Sequence, residues 1–311
     1  MSTPKIVVIG SIVVDLPLTL PRDPILGETL LVDSIGLTLG GKAINQGLQA
    51  ALCDEPVLVI GKVGEDILGH WVIDQMIDKG LDTQGILHSG ITSCAVPIIL
   101  PNAQYILQVP GANKFVTPDD IHETQELWEN AEILLLQGEI PPMASLTAAQ
   151  VAKKRNMLVI CDPAPATAIT DELLKWVDVL TPNAQELAVL AHLDGGTIEE
   201  QVRQVWLKHS HFRALIVTLG DEGVFIKTHD NPGDKIPAPT IKALDPTAAG
   251  DAFNGVLAYS IRHGLSWKKA CQMGCCAGAL AASQRGASIS LAPLSSISKM
   301  WDQFYSNMQT F

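Results

Sequence analysis

The chain has few aromatic residues and few basic ones. Phe, Trp and Tyr make up 5% of its 311 residues, and 21 Lys and Arg stand against 33 Asp and Glu, so the formal net charge is −12. Nucleic acids and anionic membranes are bound through basic patches, so this charge balance argues against both as the main partner. A local phosphate site built from backbone amides remains compatible with it.

Signals for membrane insertion and secretion are also missing. No uninterrupted apolar run approaches the roughly 18 residues of a membrane span, and residues 1–5 are polar. The cysteines form no CxxC pair and have no histidine at ligand spacing, which argues against a zinc site; they are Cys53, Cys94, Cys161, Cys271, Cys275 and Cys276. Together these features predict a reduced, cytoplasmic protein.

Short apolar runs alternate with helical patterns along most of the chain. With 47% hydrophobic residues, a chain of this length can bury a large core. Strands are predicted at 5–10, 57–61, 133–136, 158–161, 177–180 and 215–218, and helices at 44–52, 67–79, 118–129, 145–155 and 199–209. This alternation predicts an α/β fold with a mostly parallel sheet covered by helices on both faces.

Two segments break the alternation. Residues 14–39 carry prolines between β-type runs, and residues 94–109 predict two strands around a turn at 101–103. We predict a small β-sheet lid built from both segments, which could cover a substrate and exclude water; ordinary surface hairpins are the alternative. The predicted main domain comprises 1–12, 40–93 and 110–311, and the lid comprises 13–39 and 94–109.

The stretch 245–255, DPTAAGDAFNG, is where we expect the chemistry, at the start of a helix predicted over about 252–263. Three residues with almost no side chain bring backbone N–H groups to the helix mouth, where the macrodipole favours anions: Ala248, Ala249 and Gly250. Asp251, in the first turn, could accept a proton from an alcohol. This combination suits phosphoryl transfer to a hydroxyl; an ordinary helix-start acid beside packing alanines is the alternative.

A second glycine motif opens the first long helix. Gly40 and Gly41 allow a ligand to approach the backbone closely, and Lys42 and Asn45 can face the same side of the helix start. The GxxxxGK[ST] pattern of a Walker P-loop is absent. Asp15 follows the first strand and could accept two sugar hydroxyls, with a surface turn as the equal alternative.

Polar residues follow most of the other predicted strands. The carboxyl ends of strands in open α/β sheets are where ligands bind. The candidates at these strand ends are Glu139, Asp162, Asn183, Glu186, Thr218 and Gly220. Asn183 and Glu186, three residues apart, could hold waters around Mg²⁺, which keeps much of its hydration shell.

Taken in order, these motifs resemble the ribokinase (PfkB) family of sugar kinases over essentially the whole chain. The resemblance implies a three-layer αβα domain with a β-sheet lid, often used to pair two subunits into a homodimer. It implies that Asp251 is the general base and that residues 248–250 form an anion hole. It also implies a sugar site of Asp15, Gly41, Lys42, Asn45 and Glu139, and an ATP site of Asn183, Glu186, Thr218, Gly220 and Gly250.

Family members often bind K⁺ beside the anion hole. The matching positions, mostly through backbone carbonyls, are Asp245, Thr247, Ala281, Gln284, Gly286 and Ser290. The resemblance therefore implies ATP and Mg²⁺ as cofactors, with K⁺ as a further one.

Three departures from the family pattern bear on the substrate. The anion-hole segment is Ala-Ala-Gly, Pro246 replaces a usual threonine, and Val13 occupies a position where ribokinases have asparagine. An apolar wall tolerates a missing hydroxyl better than a site built to bond one. The deoxyribokinase branch is similar here and at 111–120, so 2-deoxyribose joins ribose as the expected acceptor.

The sequence therefore predicts an ATP-dependent kinase for a primary hydroxyl of a small sugar. A nucleoside or phosphosugar kinase is the nearest rival, although few basic side chains lie near Lys42 to hold a phosphosugar. A non-catalytic module that senses sugar or nucleotide is the rival of another class. A nicotinamide oxidoreductase is disfavoured because no GxGxxG fingerprint is present.

Overall fold

A long, mostly parallel sheet forms the centre of the fold. The computed structural model describes residues 3–32, 34–100, 103–193 and 195–306. Its strands are β1 (Ile6–Ile9), β2 (Val13–Asp15), β3 (Leu18–Thr19), β4 (Thr38–Gly40), β5 (Val57–Val63), β6 (Asp82–His88), β7 (Cys94–Ile99), β8 (Gln104–Val109), β9 (Ile133–Leu136), β10 (Leu158–Cys161), β11 (Val179–Leu180), β12 (Ala214–Thr218), β13 (Val224–Thr228) and β14 (Asp234–Ile236). The central sheet has the order β14-β13-β12-β11-β10-β9-β1-β5-β6, and only the β12-β13 and β13-β14 pairs are antiparallel.

Helices cover both faces of this sheet. They are α1 (Lys42–Ala51), α2 (Ile67–Asp78), α3 (Pro118–Thr124), α4 (Pro142–Lys154), α5 (Asp171–Leu174), α6 (Ala184–Ala191), α7 (Ile198–Lys208), α8 (Ala249–Arg262), α9 (Trp267–Ala282) and α10 (Leu294–Tyr305). Side chains alternate along β1, so Ile6 and Val8 pack with α1, α2 and α8–α10, while Val7 and Ile9 pack with α3–α7. This confirms the predicted three-layer α/β architecture.

The second sheet is built from the two segments that interrupted the alternation. Its order is β3-β7-β2-β4, with β8 paired to β7. This confirms the predicted small sheet; of the turn expected between β7 and β8, residues 101 and 102 lie outside the described residues. Many of its apolar side chains are exposed, among them Tyr105, Ile106, Leu107 and Val109 at 51–60%.

Several local boundaries differ from the prediction. The helix expected over 118–129 ends at Thr124 and continues as a 3-10 turn over Gln125–Trp128. The helix expected from 252 begins at Ala249, because Ala248 adopts a left-handed backbone conformation with φ of 61°. Strands β6, β13 and β14 were not predicted at all; β14 is short and polar and lacks a buried-strand pattern, whereas β13 is mostly apolar and buried.

Candidate active site

Asp251 lies at the centre of a buried polar cluster at the mouth of α8. Its side chain is 5% exposed. Asn45 Nδ2 donates to Asp251 Oδ2 at 2.9 Å, and Gln46 Nε2 donates to Asp251 Oδ1 at 3.1 Å. Lys42 Nζ lies 3.8 Å from Asp251 Oδ1. Helix α1 therefore presents three donor side chains, those of Lys42, Asn45 and Gln46, to the Asp251 carboxylate.

The only lysine in this cluster is shared between two carboxylates. Lys42 Nζ also lies 3.4 Å from Asp162 Oδ2, and the Lys42 side chain remains 26% exposed. Burial by itself would lower the pKa of Lys42, but the carboxylates around it, Asp162 and Asp251 above all, raise it well above its ordinary value. Lys42 is therefore a fixed positive charge that faces the site.

The glycine motif brings the start of α1 close to the end of β1. Gly41 caps α1 with φ of 89°, and a Cβ there would lie 2.6 Å from the Ser11 carbonyl oxygen. Lys42 N–H donates to Ser11 Oγ at 3.0 Å, and the Ser11 hydroxyl in turn donates to Glu139. The glycine thus permits a close approach that links α1, β1 and the segment after β9.

The remaining predicted sugar-site residues lie on one face of β2. Val14 packs into the main core, so Val13 and Asp15 point to the opposite face. Val13 is 2% exposed and pairs with Gly40, where a Cβ would lie within 2.5 Å of the Asp15 carboxylate oxygens. Burial, reinforced by the nearby Glu139, raises the pKa of Asp15 to about 6.

A cleft of about 690 Å³ extends from Asp251 along the carboxyl ends of the strands. Apolar and small side chains of α8 and α9 line one side. The cleft also holds most of the predicted anion-hole and nucleotide residues, namely Asn183, Glu186, Thr218, Gly220, Ala248, Ala249 and Gly250. Its position matches the rule that open α/β sheets bind ligands beyond the carboxyl ends of their strands.

The anion-hole segment is only partly free to bind a ligand. The Ala249 N–H donates to the Pro246 carbonyl at 3.2 Å, and the Ala248 carbonyl accepts from Ala252 N–H at 2.8 Å. A Cβ on Gly250 would meet no atom within 4 Å, so the space beside Gly250 is open. The α8 macrodipole favours an anion here.

Asn183 and Glu186 form a capping box at the start of α6. Asn183 N–H donates to Glu186 Oε2 at 2.8 Å, and Glu186 N–H donates to Asn183 Oδ1 at 2.9 Å. Burial raises the pKa of Glu186, while the backbone donor of Asn183 and the charge of Lys42 oppose this. Asn183 also bridges to Thr218, so the β11 and β12 ends lie side by side. Among the described residues, no group of three or more His, Cys, Asp or Glu side chains is arranged to hold a metal ion directly.

Three of the predicted K⁺ positions, Asp245, Thr247 and Gly286, meet in the loop before α8. Asp245 Oδ1 accepts from the Thr247 N–H and hydroxyl at 3.0 and 2.6 Å, and Asp245 Oδ2 accepts from Gly286 N–H at 3.0 Å. Burial would raise the pKa of Asp245, but these donors outweigh it and lower the pKa. The Asp245 N–H donates to the Ala282 carbonyl at 3.2 Å, which brings this loop to the end of α9 near Ala281.

The last two predicted K⁺ positions are less directly linked to this loop. The Gln284 N–H donates to the Ala281 carbonyl at 3.1 Å, which keeps Gln284 at the end of α9. The Ser290 hydroxyl instead donates to the Ala287 carbonyl at 2.7 Å.

Sequence reasoning missed the amides that surround these carboxylates. Gln46 donates to both Asp162 and Asp251, and Gln137 donates to Gln46. The Thr181 hydroxyl donates to Asn254, which donates to the Gly250 carbonyl at 3.0 Å. Gln46 directly follows Asn45 and Gln137 directly follows β9, but nothing in their spacing indicates that they meet.

Comparison with known proteins agrees with this geometry. Residues 3–293 match the family described as pfkB family carbohydrate kinase. A ribokinase from Haemophilus influenzae is 30% identical over 288 residues, covering 91% of this chain and 94% of the relative. A deoxyribokinase from Salmonella typhi is 33% identical over 259 residues, covering 82% and 84%. The structure of Arabidopsis thaliana ribokinase complexed with ribose and ATP superposes with a TM-score of 0.85 at 28% identity, covering 96% and 99%. In the described part of this chain, no helix is long and apolar enough to cross a membrane.

Proposed function

Since the chain belongs to the pfkB family of carbohydrate kinases, which transfer phosphate to a hydroxyl group, we propose that it phosphorylates a primary hydroxyl of a pentose with ATP. The observation that carries this proposal is the Asp251 carboxylate, oriented by donors from α1 at the mouth of α8. A carboxylate at a helix start combines a general base with an anion site.

The sugar would lie between β2 and the start of α1. Asn45 Oδ1 is buried and has no hydrogen-bond partner, although its amide nitrogen donates to Asp251. An unpaired buried acceptor costs stability, and a sugar hydroxyl would satisfy it. Asp15 and Glu139 add acceptors for further hydroxyls, and Lys42 supplies a donor. In this arrangement Asp251 takes the proton of the primary hydroxyl as the phosphoryl group transfers.

The nucleotide would occupy the cleft that ends at Thr218 and Gly220. The α8 start would hold the transferring phosphoryl group at Gly250, where the space is open. Mg²⁺ fits this site if the nucleotide phosphates supply most of its ligands and Glu186 contributes through water, since Mg²⁺ favours water and phosphate over all-protein cages. It would neutralise charge on the phosphates.

K⁺ is the second cation of the proposal. Hydrogen bonds favour the ionised form of Asp245, and its carboxylate gathers Thr247 and Gly286 into one turn close to the Ala281 and Gln284 backbone. This oxygen-rich loop fits a hard monovalent cation. Such an ion would steady the anion-hole segment that directly follows Thr247.

Two acceptors fit the Val13 environment, ribose and 2-deoxyribose. A buried valine on the Asp15 face offers no hydrogen bond to a sugar hydroxyl. A wall without polar atoms leaves nothing unpaired when a hydroxyl is missing. We therefore infer that 2-deoxyribose is accepted at least as well as ribose.

We also infer that two copies pair through the lid sheet. Exposed apolar side chains include Leu107 at 60% on β8, and Leu26 at 104% and Leu31 at 84% in the connection between β3 and β4. Apolar patches of this extent on a folded surface mark interaction sites. A second copy would offer the same apolar surface in a symmetric, self-complementary contact.

The test is phosphorylation of a sugar panel by the purified protein with ATP, Mg²⁺ and K⁺. Ribose, 2-deoxyribose, fructose and nucleosides are each incubated with enzyme, and ADP release and the phosphorylated product are measured. We expect pentose phosphate as the main product. A nucleoside monophosphate as the main product would favour the nucleoside kinase, and binding of sugar and ATP without ADP release would indicate a sensing module.

A further inference from the structure

The amide of Gln46 lies between the Asp162 and Asp251 carboxylates. Its Nε2 donates to Asp162 Oδ2 at 2.9 Å and to Asp251 Oδ1 at 3.1 Å. Gln46 is completely buried and Asp162 is 6% exposed. In such an environment, two carboxylates repel each other unless donors intervene. Gln46 supplies a donor to each of them.

A second amide fixes the orientation of the first. Gln137 Nε2 donates to Gln46 Oε1 at 2.7 Å, so the amide nitrogen of Gln46 must face the carboxylates. Gln137 is also fully buried, and a Cβ on Gly10 would lie 1.9 Å from Gln137 Oε1. The glycine at the end of β1 therefore makes room for the amide that holds Gln46.

The protonation state of Asp162 affects the net charge of this cluster. Burial raises the pKa of Asp162 to about 7, against the opposing effect of Lys42. The other charged groups nearby are Glu186 on α6, which acts on both Asp162 and Lys42, and Glu139 after β9, which acts on Lys42. Lys42 is the only cation among them, so the number of negative charges beside Asp251 depends on whether Asp162 carries a proton.

We propose that Gln46 is a positioning residue for the Asp251 base: oriented by Gln137, its amide holds the carboxylate in place for proton transfer. This inference rests on the proposed kinase function. It assigns a task to a completely buried side chain that is not among the residues lining the cleft.

The test measures kcat/KM for the pentose from pH 5 to 9 in three single variants. Gln46→Met keeps the volume and removes the donor to Asp251, so the ionised base is harder to maintain. We expect kcat/KM to fall by about 10- to 100-fold, as for a lost hydrogen bond to a charged group, and the acid limb of the profile to move to higher pH. Asp162→Asn keeps the shape of the side chain. Because burial raises the pKa of Asp162 to about 7, this residue carries little charge on the acid limb, and we expect the limb to stay near its wild-type position.

Gln49→Met is the matched control. Gln49 is completely buried on the same helix, one turn after Gln46. It bonds the Ala292 backbone at 2.8 and 3.3 Å and the Cys53 sulfur at 3.8 Å. Its replacement removes a buried amide without touching either carboxylate. We expect a lower melting temperature and an acid limb at the wild-type position.

An acid limb that moves to higher pH in Gln46→Met, with Asp162→Asn and Gln49→Met near the wild-type position, supports the proposal, because a merely structural defect lowers activity without moving the limb. A Gln46→Met limb that stays at the wild-type position, or limbs that move together in all three variants, overturn it while the kinase function stands. A wild-type protein that phosphorylates no pentose overturns the kinase function, and this inference with it.

Discussion

Replacing Val13 by asparagine tests how the site discriminates between ribose and 2-deoxyribose. Val13 is 2% exposed and shares a face of β2 with Asp15, so a new amide there would point at the sugar and away from water. With ribose bound, the amide can bond the additional hydroxyl, a gain of about 0.5–1.5 kcal/mol. With 2-deoxyribose bound, the buried amide stays unpaired, at a cost of about 1–3 kcal/mol.

These two effects add in the ratio of specificity constants. We expect Val13→Asn to raise kcat/KM for ribose relative to 2-deoxyribose by about 10- to 1000-fold, since the summed effect is about 1.5–4.5 kcal/mol and each 1.4 kcal/mol changes the ratio tenfold. The assay is direct competition between both sugars at limiting enzyme, with the two phosphate products separated by mass. Val13→Ala is the control, because it makes space without adding a polar group. A ratio within about twofold of wild type in Val13→Asn would remove Val13 from the specificity argument.

Three further predictions concern the anion site, pH and assembly. Gly250→Ala places a methyl group in open space at the mouth of α8 and should lower kcat with little change in melting temperature. In Gly255→Ala the new methyl group meets the Gln46 carbonyl at 2.6 Å, so this variant should have a lower melting temperature instead. Thermal melts and initial rates distinguish the two outcomes. Because the pKa of Asp15 is raised to about 6, its contribution to the stability of the wild type is fully present below pH 4 and declines through pH 6. In urea titrations the stability of Asp15→Asn relative to wild type should therefore rise by about 2 kcal/mol over that range. A constant difference would contradict it. Leu107→Glu should turn a dimer into a monomer in light scattering, and an unchanged mass would exclude this face.

The layered architecture could be read from the sequence because buried parallel strands are short, apolar and regularly spaced. Runs such as 133–136 and 158–161 became strands with the predicted bounds. The β13-β14 hairpin at the sheet edge was missed, since its second strand is short and polar, with Asp234 and Lys235 exposed. The left-handed Ala248 was also missed, because no local pattern indicates that an alanine adopts this conformation.

Site residues that lie in a local sequence motif could be predicted, whereas contacts between residues far apart in the chain could not. Asp251 and Lys42 each lie in a recognisable local motif. The Gln46–Asp162 contact joins residues 116 positions apart, and the Ser11–Glu139 contact joins residues 128 apart, so only the folded sheet brings them together. The capping box at the start of α6 was likewise assigned to Mg²⁺ from spacing alone, although the same spacing is typical of a helix cap.

The most direct measurement of the central claim is the turnover of Asp251→Asn with ATP and the preferred pentose. The variant retains the shape of the side chain within its cluster, so we expect near wild-type folding and ATP binding, with kcat lower by about 10²- to 10⁴-fold, as for loss of a general base. Turnover within about threefold of wild type would contradict the assignment of Asp251 as the base.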